Sequence, residues 1–330
     1  MTMLSMVLEN GRLTPVLRPA PRPAAGELLL RVKACGVCRT DLHLLDGDLP
    51  LRGPVVPGHE IVAEVAELGA SATGFEVGQR VGVPWLGGVC GRCDYCRGGQ
   101  ENLCDAPAFT GWTRDGGFAQ MTTADARFCV ALPEGPEDTA LAPLLCAGLI
   151  GFRAWRMAGA ATQIQRLGLY GFGAAAHLLA QLAIAEGQKV FAFTKPGDKA
   201  AQALARDLGC VWAGDSAHAP PDPLDAAILF APAGDLVPVA LRAVRKGGAV
   251  VCGGIHMSRI PGFDYADLWG ERRLMSVANL TRADARDYFP RAMAAGVRAH
   301  VKTYDLRQAG RALAGLREGA VTGAAVLRIG

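Results

Sequence analysis

The stretch Arg166-Leu167-Gly168-Leu169-Tyr170-Gly171-Phe172-Gly173-Ala174-Ala175-Ala176 reads as a buried strand running into a tight turn of small residues. His177 to Glu186 then has a helical pattern ended by Gly187, Lys189 to Thr194 reads as a second strand, and Asp198 to Leu208 as a second helix stopped by Gly209. A strand, a G-x-G-x-x-A turn, a helix and another strand make a βαβ unit. Its small residues let backbone amides at the helix N-terminus approach a pyrophosphate. A glycine motif alone is weak evidence, and the flanking elements give it weight. Gly171, Gly173, Ala174 and Ala176 are the candidate dinucleotide contacts, with Ala176 in the third-glycine position. Strands at Ala226–Phe230 and Ala249–Cys252 continue a doubly wound parallel sheet, so the fold class is α/β.

Upstream of this unit the chain is of another kind. Glu27–Lys33 and Ile61–Gly69 read as strands among Pro- and Gly-rich turns, the start of a β-rich domain. Between them, Cys35 to His43 packs two thiols, a guanidinium, a hydroxyl, a carboxylate and an imidazole into nine positions. A Cys-x-x-Cys of this kind is open to three readings: a redox pair, half of a structural zinc site, or one metal ligand beside a bystander thiol. His59, entering a strand beside Glu60, is by itself most often a satisfied structural histidine. Cys146, among Leu and Ala, is by itself a core thiol.

The strongest local signal is Cys90, Cys93, Cys96 and Cys104, spaced C-x2-C-x2-C-x7-C in a Gly- and Arg-rich loop. Four thiolates close a tetrahedral zinc shell in which no position is left for substrate, so this metal would hold a loop in place of a hydrophobic core. Common iron-sulfur spacings differ from this one.

Composition bounds the rest. At 330 residues and 50% apolar, the chain is long enough for two domains. A formal charge of +3, with arginines scattered and no basic run, lacks the footprint of a nucleic-acid binder. Leu141–Ile150 and Leu178–Ala185 fall short of the roughly 20 apolar residues that span a bilayer, so no membrane partner is expected. Ten cysteines in a chain this long, five of them at Cys-x-x-Cys spacings, look like metal ligation in a cytoplasmic protein.

Taken together these motifs resemble the zinc-dependent medium-chain alcohol dehydrogenases of the bacterial and yeast type, over essentially the whole chain. The resemblance is carried by Cys35-Gly-Val-Cys38-Arg-Thr-Asp-Leu-His43, Pro57-Gly-His59-Glu60, Pro84-Trp85-Leu86 before the four cysteines, Gly111-Trp112-Thr113-Arg114-Asp115-Gly116 and Leu145-Cys146-Ala147-Gly148. It implies a GroES-like β-barrel catalytic domain from residues 1–149 and 281–330, with a structural-zinc lobe at 88–106, around a Rossmann cofactor-binding domain at 150–280. It also implies two Zn2+ per chain. Cys38, His59 and Cys146 match the catalytic ligands, and two cysteines, one histidine and an open fourth position is the donor set known from alcohol dehydrogenase zinc sites. Glu60 matches the acid behind that metal, and Asp41 the carboxylate orienting the ligand histidine.

The implied chemistry is hydride transfer between an alcohol carbon and a nicotinamide, with the alkoxide on zinc and its proton leaving through Thr40 and onward via the cofactor ribose to His43. Without the resemblance, Thr40 would be read as a helix cap and His43 as a solvated residue. Arg39 and Arg282 match contacts to cofactor phosphates. Trp85, Trp112 and Ile150 match pocket positions, Ile150 standing where relatives commonly have threonine. Polyol, threonine or glutathione-adduct dehydrogenases on the same scaffold are the alternative, and a non-catalytic zinc or nucleotide binder would need the open metal site to be degenerate. Family members are commonly dimers or tetramers, and a homo-oligomer is expected.

Two departures stand out. NAD-preferring relatives carry an acid at the end of the second Rossmann strand, where this chain has Thr194 followed by Lys195. The missing carboxylate removes repulsion against a 2′-phosphate, and Lys195 or Lys199 can neutralise it, which favours NADP(H) over NAD(H). Residues 209–225 are short and contain Ala219-Pro220-Pro221-Asp222-Pro223, so one helix of the nucleotide domain is expected to be missing. His256, after Gly253-Gly254, is placed toward the nicotinamide end or left as a solvated loop histidine.

Overall fold

The computed structural model describes residues 2–330. Strands β1 (Thr2–Glu9) and β2 (Arg12–Pro19) form an antiparallel hairpin. Its turn residues Asn10 and Gly11 both have positive φ, 48° and 72°, the geometry an Asn-Gly pair adopts most readily. There follow β3 (Glu27–Val37), α1 (Arg39–Asp46), β4 (Ile61–Leu68), β5 (Arg80–Val83), β6 (Leu86–Gly88), α2 (Asp94–Arg97), β7 (Ala108–Phe109), β8 (Met121–Asp125), β9 (Val130–Ala131) and α3 (Asp138–Leu141).

The middle of the chain supplies α4 (Ala147–Ala161), β10 (Arg166–Tyr170), α5 (Ala174–Ala185), β11 (Lys189–Thr194), α6 (Lys199–Asp207), β12 (Trp212–Asp215), β13 (Leu224–Leu229), α7 (Leu236–Ala243), β14 (Val244–Cys252), α8 (Tyr265–Leu268) and β15 (Arg273–Ser276). The C-terminal part is α9 (Arg282–Ala294), β16 (Val301–Asp305), α10 (Ala309–Arg317) and β17 (Ala324–Arg328).

Two compact units result: Met1–Cys146 with Asn279–Phe289 and Arg298–Gly330, and Ala147–Ala278 with Pro290–Val297. The second division inside α9 falls at Pro290, which has no amide to donate to the preceding turn. Residues 290–297, which the sequence reading put in the barrel domain, thus belong with the nucleotide unit.

In the first unit, β3 is the central strand of a seven-stranded sheet ordered β16-β17-β3-β4-β5-β9, with β8 also pairing β3. Its residues are buried almost throughout because it has strand neighbours and core on all sides, and Leu28, Leu30 and Val32 join Ile61, Ala63, Val65, Val81 and Phe118 in one cluster. This is the unit for which the resemblance implies a GroES-like barrel, and a strand from near the end of the chain enters its middle: β17 pairs antiparallel with β3, Leu327 opposite Cys35.

The second unit is a six-stranded, wholly parallel sheet in the order β12-β11-β10-β13-β14-β15. Read from β10 as the first strand, this is the 3-2-1-4-5-6 order of the Rossmann fold. Its strands are apolar end to end because alternate side chains enter different layers. Leu167, Leu169, Val190 and Ala192 pack with Ala154, Leu179 and Ala183, whereas Tyr170, Phe191 and Phe193 pack with Val237, Ala240 and Leu241. Among the described residues no helix intervenes between β12 and β13, as the proline run in 219–223 demands. No single helix there is long and apolar enough to cross a membrane.

Candidate active site and metal centres

The turn after β10 has the shape its residues dictate. Gly171 takes φ 88°, and a Cβ there would meet the Ala231 backbone nitrogen at 2.7 Å, so both the conformation and the close approach require glycine. Gly173 caps α5, and space is open around it to at least 4 Å. Ala174 and the following residues begin the helix, with amides facing that space, and Ala176 is buried beneath them. Such a cradle fits a dinucleotide pyrophosphate.

At the end of β11 the structure separates residues that the sequence reading had grouped. Thr194 is 1% exposed; its hydroxyl accepts from Gln202 Nε2 at 3.0 Å and has the Lys195 and Gly214 carbonyls at 3.2 and 3.3 Å to donate to. That hydroxyl is spent inside the unit, while Lys195 on the turn and Lys199 at the start of α6 are exposed. Two carboxylates of this region are also engaged: Asp198 accepts from the Ala201 amide as the cap of α6, and Asp215 accepts from Gln202 and the Gly197 amide. Ile150 packs against the core of this unit, and His256 is exposed in the loop after β14.

In the barrel unit, Cys38 precedes α1 and anchors it. The Cys38 amide donates to Asp41 Oδ2 at 2.8 Å, a capping arrangement that also fixes the thiol at the helix mouth. Asp41 Oδ1 accepts from the Gly58 amide at 3.2 Å and stands 3.6 Å from His59 Nδ1, so the Pro57-Gly58-His59 segment is held against the helix. Cys38, His59, Glu60 and Cys146 each bring one ligand atom into a group whose members lie within 4.8 Å of one another. The Cys38 and Cys146 sulfurs are 4.0 Å apart, close to the ~3.8 Å edge of a tetrahedron with 2.3 Å zinc–sulfur bonds. Both ring nitrogens of His59 are buried with no hydrogen-bond partner.

The electrostatics agree. The hydrogen bond shared with Cys146 holds the Cys38 thiol well below its ordinary value, helped by His59 and opposed by burial, while the same bond and burial push Cys146 well up. Burial acts to depress His59, but the Asp41 carboxylate and the Cys38 sulfur outweigh it and raise it well above the usual imidazole value. Burial pushes Glu60 well above the carboxylate range. Cys35, by contrast, faces Gly58 and Gly117 from inside the core, fully buried, and its thiol is raised by burial.

Around this group, the Cys38 thiol donates to Thr40 Oγ1 at 3.7 Å, and Thr40 is 6% exposed. His43, one turn on in α1, pairs through Nδ1 with Asp48 Oδ2 at 2.8 Å. Arg39 is exposed at the start of the helix. Trp85 lies 6.0 Å from the His59 ring and stacks on Phe109 at 4.5 Å, which stacks in turn on Trp112 at 5.2 Å. Trp112 is pinned by its indole N–H, which donates to the Pro50 carbonyl at 3.0 Å. Phe109 was missed in the sequence, because a single aromatic before a turn carries no periodic signal.

The four lobe cysteines also converge, with every pair of sulfurs within 4.8 Å. The Cys90 sulfur accepts from the Cys93 amide and the Cys104 sulfur from the Cys90 and Ala106 amides. Amide donors, Arg92 and Cys93 foremost, bring Cys90 down to about 6. The sequence did not foresee Glu101 in this lobe: it is 9% exposed, and its carboxylate takes Nε and Nη2 of Arg282 at 2.9 and 2.6 Å.

Residues 24–134 match the alcohol dehydrogenase GroES-like domain family. The chain is 49% identical over 332 aligned residues to the "Probable alcohol dehydrogenase AdhA" of Mycobacterium tuberculosis, covering 98% of this chain and 94% of that one. Among solved structures, the cinnamyl alcohol dehydrogenase of Sorghum bicolor superposes with a TM-score of 0.90 at 27% identity, over 99% of this chain and 98% of the other. Acetophenone reductase from Geotrichum candidum in complex with NAD superposes with a TM-score of 0.87 at 26% identity, over 99% and 97%. With the barrel and Rossmann units and the cysteine-histidine group already in place, this chain belongs to the zinc-dependent medium-chain alcohol dehydrogenases.

Proposed function

We propose that the chain is an NADP(H)-preferring alcohol dehydrogenase and aldehyde reductase in which Cys38, His59 and Cys146 hold a catalytic zinc and Cys90, Cys93, Cys96 and Cys104 a structural one. The observation that carries this reading is His59, whose two nitrogens are buried without a hydrogen bond and which brings one ligand atom within 4.8 Å of those of Cys38, Cys146 and Glu60. Burying a polar atom unpaired costs about 1–3 kcal/mol, and a ligand role removes that cost. Bound there, zinc supplies a Lewis acid that stabilises negative charge developing on a substrate oxygen.

The chain's own residues do the rest. Asp41 draws Nδ1–H of His59 toward itself, which leaves Nε2 as the ligating nitrogen. Glu60, buried behind the ligands, moderates the charge of the group. The Thr40 hydroxyl, beside Cys38, would accept the alcohol proton as it passes its own on, by way of the cofactor ribose, to His43, the base held by Asp48. Trp85, Phe109 and Trp112 offer a flat apolar wall that suits uncharged alcohols and aldehydes better than polyols.

The Gly171–Ala176 turn binds the pyrophosphate, with Arg39 and Arg282 as phosphate contacts. Lys195 and Lys199 read the 2′-phosphate, because both are exposed, one on the β11–α6 turn and one at the start of α6, where the nearby Asp198 and Asp215 are already hydrogen-bonded. The Geotrichum reductase holds NAD on the same fold, so cofactor choice rests on these lysines and not on the architecture. Ten cysteines with no disulfide among them suit a reducing compartment, and a cytoplasmic location is part of the proposal. So is a homo-oligomer, supported by exposed Ile255, Ile260, Tyr265 and Trp269 near the edge strand β15.

The test is a panel of alcohols and aldehydes assayed at equal concentrations of NADPH and NADH on zinc-loaded protein. Turnover of simple alcohols and aldehydes, faster with NADPH, is expected. Faster turnover with NADH would overturn the cofactor assignment, and a folded His59→Ala protein at the wild-type rate would overturn the metal assignment.

A further inference from the structure

Glu101 and Arg282 lie 181 residues apart in sequence and within the same unit, and one carboxylate binds both the backbone and the side chain of the arginine. Glu101 Oε1 accepts from the Arg282 amide at 2.7 Å, and its two oxygens take Nε at 3.2 and 2.9 Å and Nη2 at 2.6 Å. The guanidinium carbon sits 4.7 Å from the centre of the Phe128 ring, so its plane is held by packing as well as by hydrogen bonds. Arg282 opens α9 immediately after Thr281. The Thr281 hydroxyl accepts from the Asp284 amide at 3.1 Å and donates to the Asp284 carboxylate at 2.7 Å, so the helix start is independently fixed.

The pairing uses one edge of the guanidinium. Nη1 lies outside it, and the arginine side chain keeps 41% of its surface while Glu101 keeps 11%. An arginine tethered by its Nε edge and backed by a ring points its remaining donors one way, as a phosphate contact requires. Glu101 itself stands on a 3-10 turn, Glu101–Leu103, that runs directly into Cys104, and the Cys104 amide donates to the Glu101 carbonyl at 3.2 Å. The four-cysteine group thereby holds the turn from which the carboxylate reaches.

We propose that Glu101 is a positioning residue for cofactor binding: the cysteine lobe, through Glu101, presents Arg282 in a fixed orientation to a phosphate of the nucleotide. The proposal rests on the assignment of Arg282 as a phosphate contact. An arginine ordered in advance does not lose its rotamer freedom when the phosphate arrives, a difference of about tenfold in affinity. The opposite force is also present, because removing a carboxylate raises the positive potential at Arg282 and by itself would tighten anion binding. The two effects have opposite signs, so the direction of change decides between them.

The experiment is direct NADPH binding by fluorescence or calorimetry, without turnover, on the full-length zinc-loaded protein and on Glu101→Gln, Glu101→Asp, Arg282→Ala and the double variant Glu101→Gln/Arg282→Ala. Zinc content and melting temperature are recorded in parallel. Expected are a roughly tenfold weaker dissociation constant in Glu101→Gln, a smaller loss in Glu101→Asp, unchanged KM for the alcohol, and a double variant no weaker than Arg282→Ala alone. Unchanged or tighter NADPH binding in Glu101→Gln, with Arg282→Ala weakened, overturns the positioning role and leaves the phosphate role of Arg282 standing. Unchanged binding in Arg282→Ala removes both. If Glu101→Gln does not fold, Glu101→Asp carries the same comparison.

Discussion

Asp41 Oδ1 stands 3.6 Å from His59 Nδ1, both side chains are shut off from solvent, and the other oxygen of the same carboxylate holds the Cys38 amide at 2.8 Å. One side chain therefore orients two of the three proposed zinc ligands. Asp41→Asn is expected to weaken zinc at this site by about 10–100-fold, read by competition with a chromophoric chelator. Wild-type affinity would mean that Asp41 serves only to cap α1.

Gly36 leaves room for Glu60. A Cβ at position 36 would lie 1.7 Å from Glu60 Oε2 and 2.6 Å from its carboxyl carbon. Gly36→Ala must push the Glu60 carboxyl away from the ligand group. A stability loss of about 1–3 kcal/mol is expected in denaturant melts, together with a fall in kcat that addition of zinc does not restore. An activity equal to wild type would show that Glu60 can leave the group without consequence.

Removing charge from the β11–α6 turn should separate the two cofactors. Lys195→Ala combined with Lys199→Ala is expected to raise KM for NADPH about tenfold or more while leaving KM for NADH within about twofold. Thr194→Asp is expected to behave differently from the usual specificity swap. Its side chain would be buried against Gln202 and the Gly214 carbonyl, so the melting temperature falls and NADH use does not improve. Improved NADH turnover in a stable Thr194→Asp protein would contradict the inward placement.

Two metals should leave in two steps. Cys38, His59 and Cys146 are the three proposed ligands of a group that also contains Glu60, whereas the lobe brings four cysteine sulfurs together, so mild chelation is expected to take one zinc per chain with the activity and little change in melting temperature. Thiol modification should then release the second and lower the melting temperature by several degrees. Metal analysis and scanning calorimetry on the same samples check both steps, and simultaneous loss of the two would count against distinct roles.

Asp225 ties three strands of the Rossmann unit at their base. Its oxygens take the amides of Gln165 and Arg166 at 2.9 and 2.8 Å and Arg245 Nε at 2.6 Å. Burial would raise this carboxyl, but Arg245 and the two amides outweigh it and hold it below the usual carboxylate range. A depressed acid stabilises the fold above its unfolded value of roughly 3.9, and that contribution is lost as pH falls through the lower folded value. Asp225→Asn is expected to cost about 1.5–3 kcal/mol at pH 7, with the gap to wild type narrowing as pH is lowered below 4. A gap independent of pH would assign the effect to packing alone.

Much of this was legible in local sequence. The β10 strand and its glycine turn, the four-cysteine spacing and the proline run that removes a helix all act over a few residues, where periodicity, turn chemistry and ligand spacing have direct physical meaning. The catalytic ligand set was reached only through family resemblance, since Cys38, His59 and Cys146 come from three segments whose convergence no spacing encodes. Thr194 stands where NAD-preferring relatives carry an acid, and only the structure shows its hydroxyl turned inward, where Gln202, eight residues along on α6, reaches it.

By itself, then, the sequence determined the βαβ unit with its glycine turn ahead of α5 and the spacing that groups four cysteines in one loop, because each depends on neighbours a few positions away. Tertiary structure alone decided that His59 loses every hydrogen-bond partner, that Phe109 joins Trp85 and Trp112, and that Glu101 meets Arg282 across 181 residues. Those contacts join residues far apart in the chain, and the spacing of side chains along the sequence carries no information about which distant segments will meet.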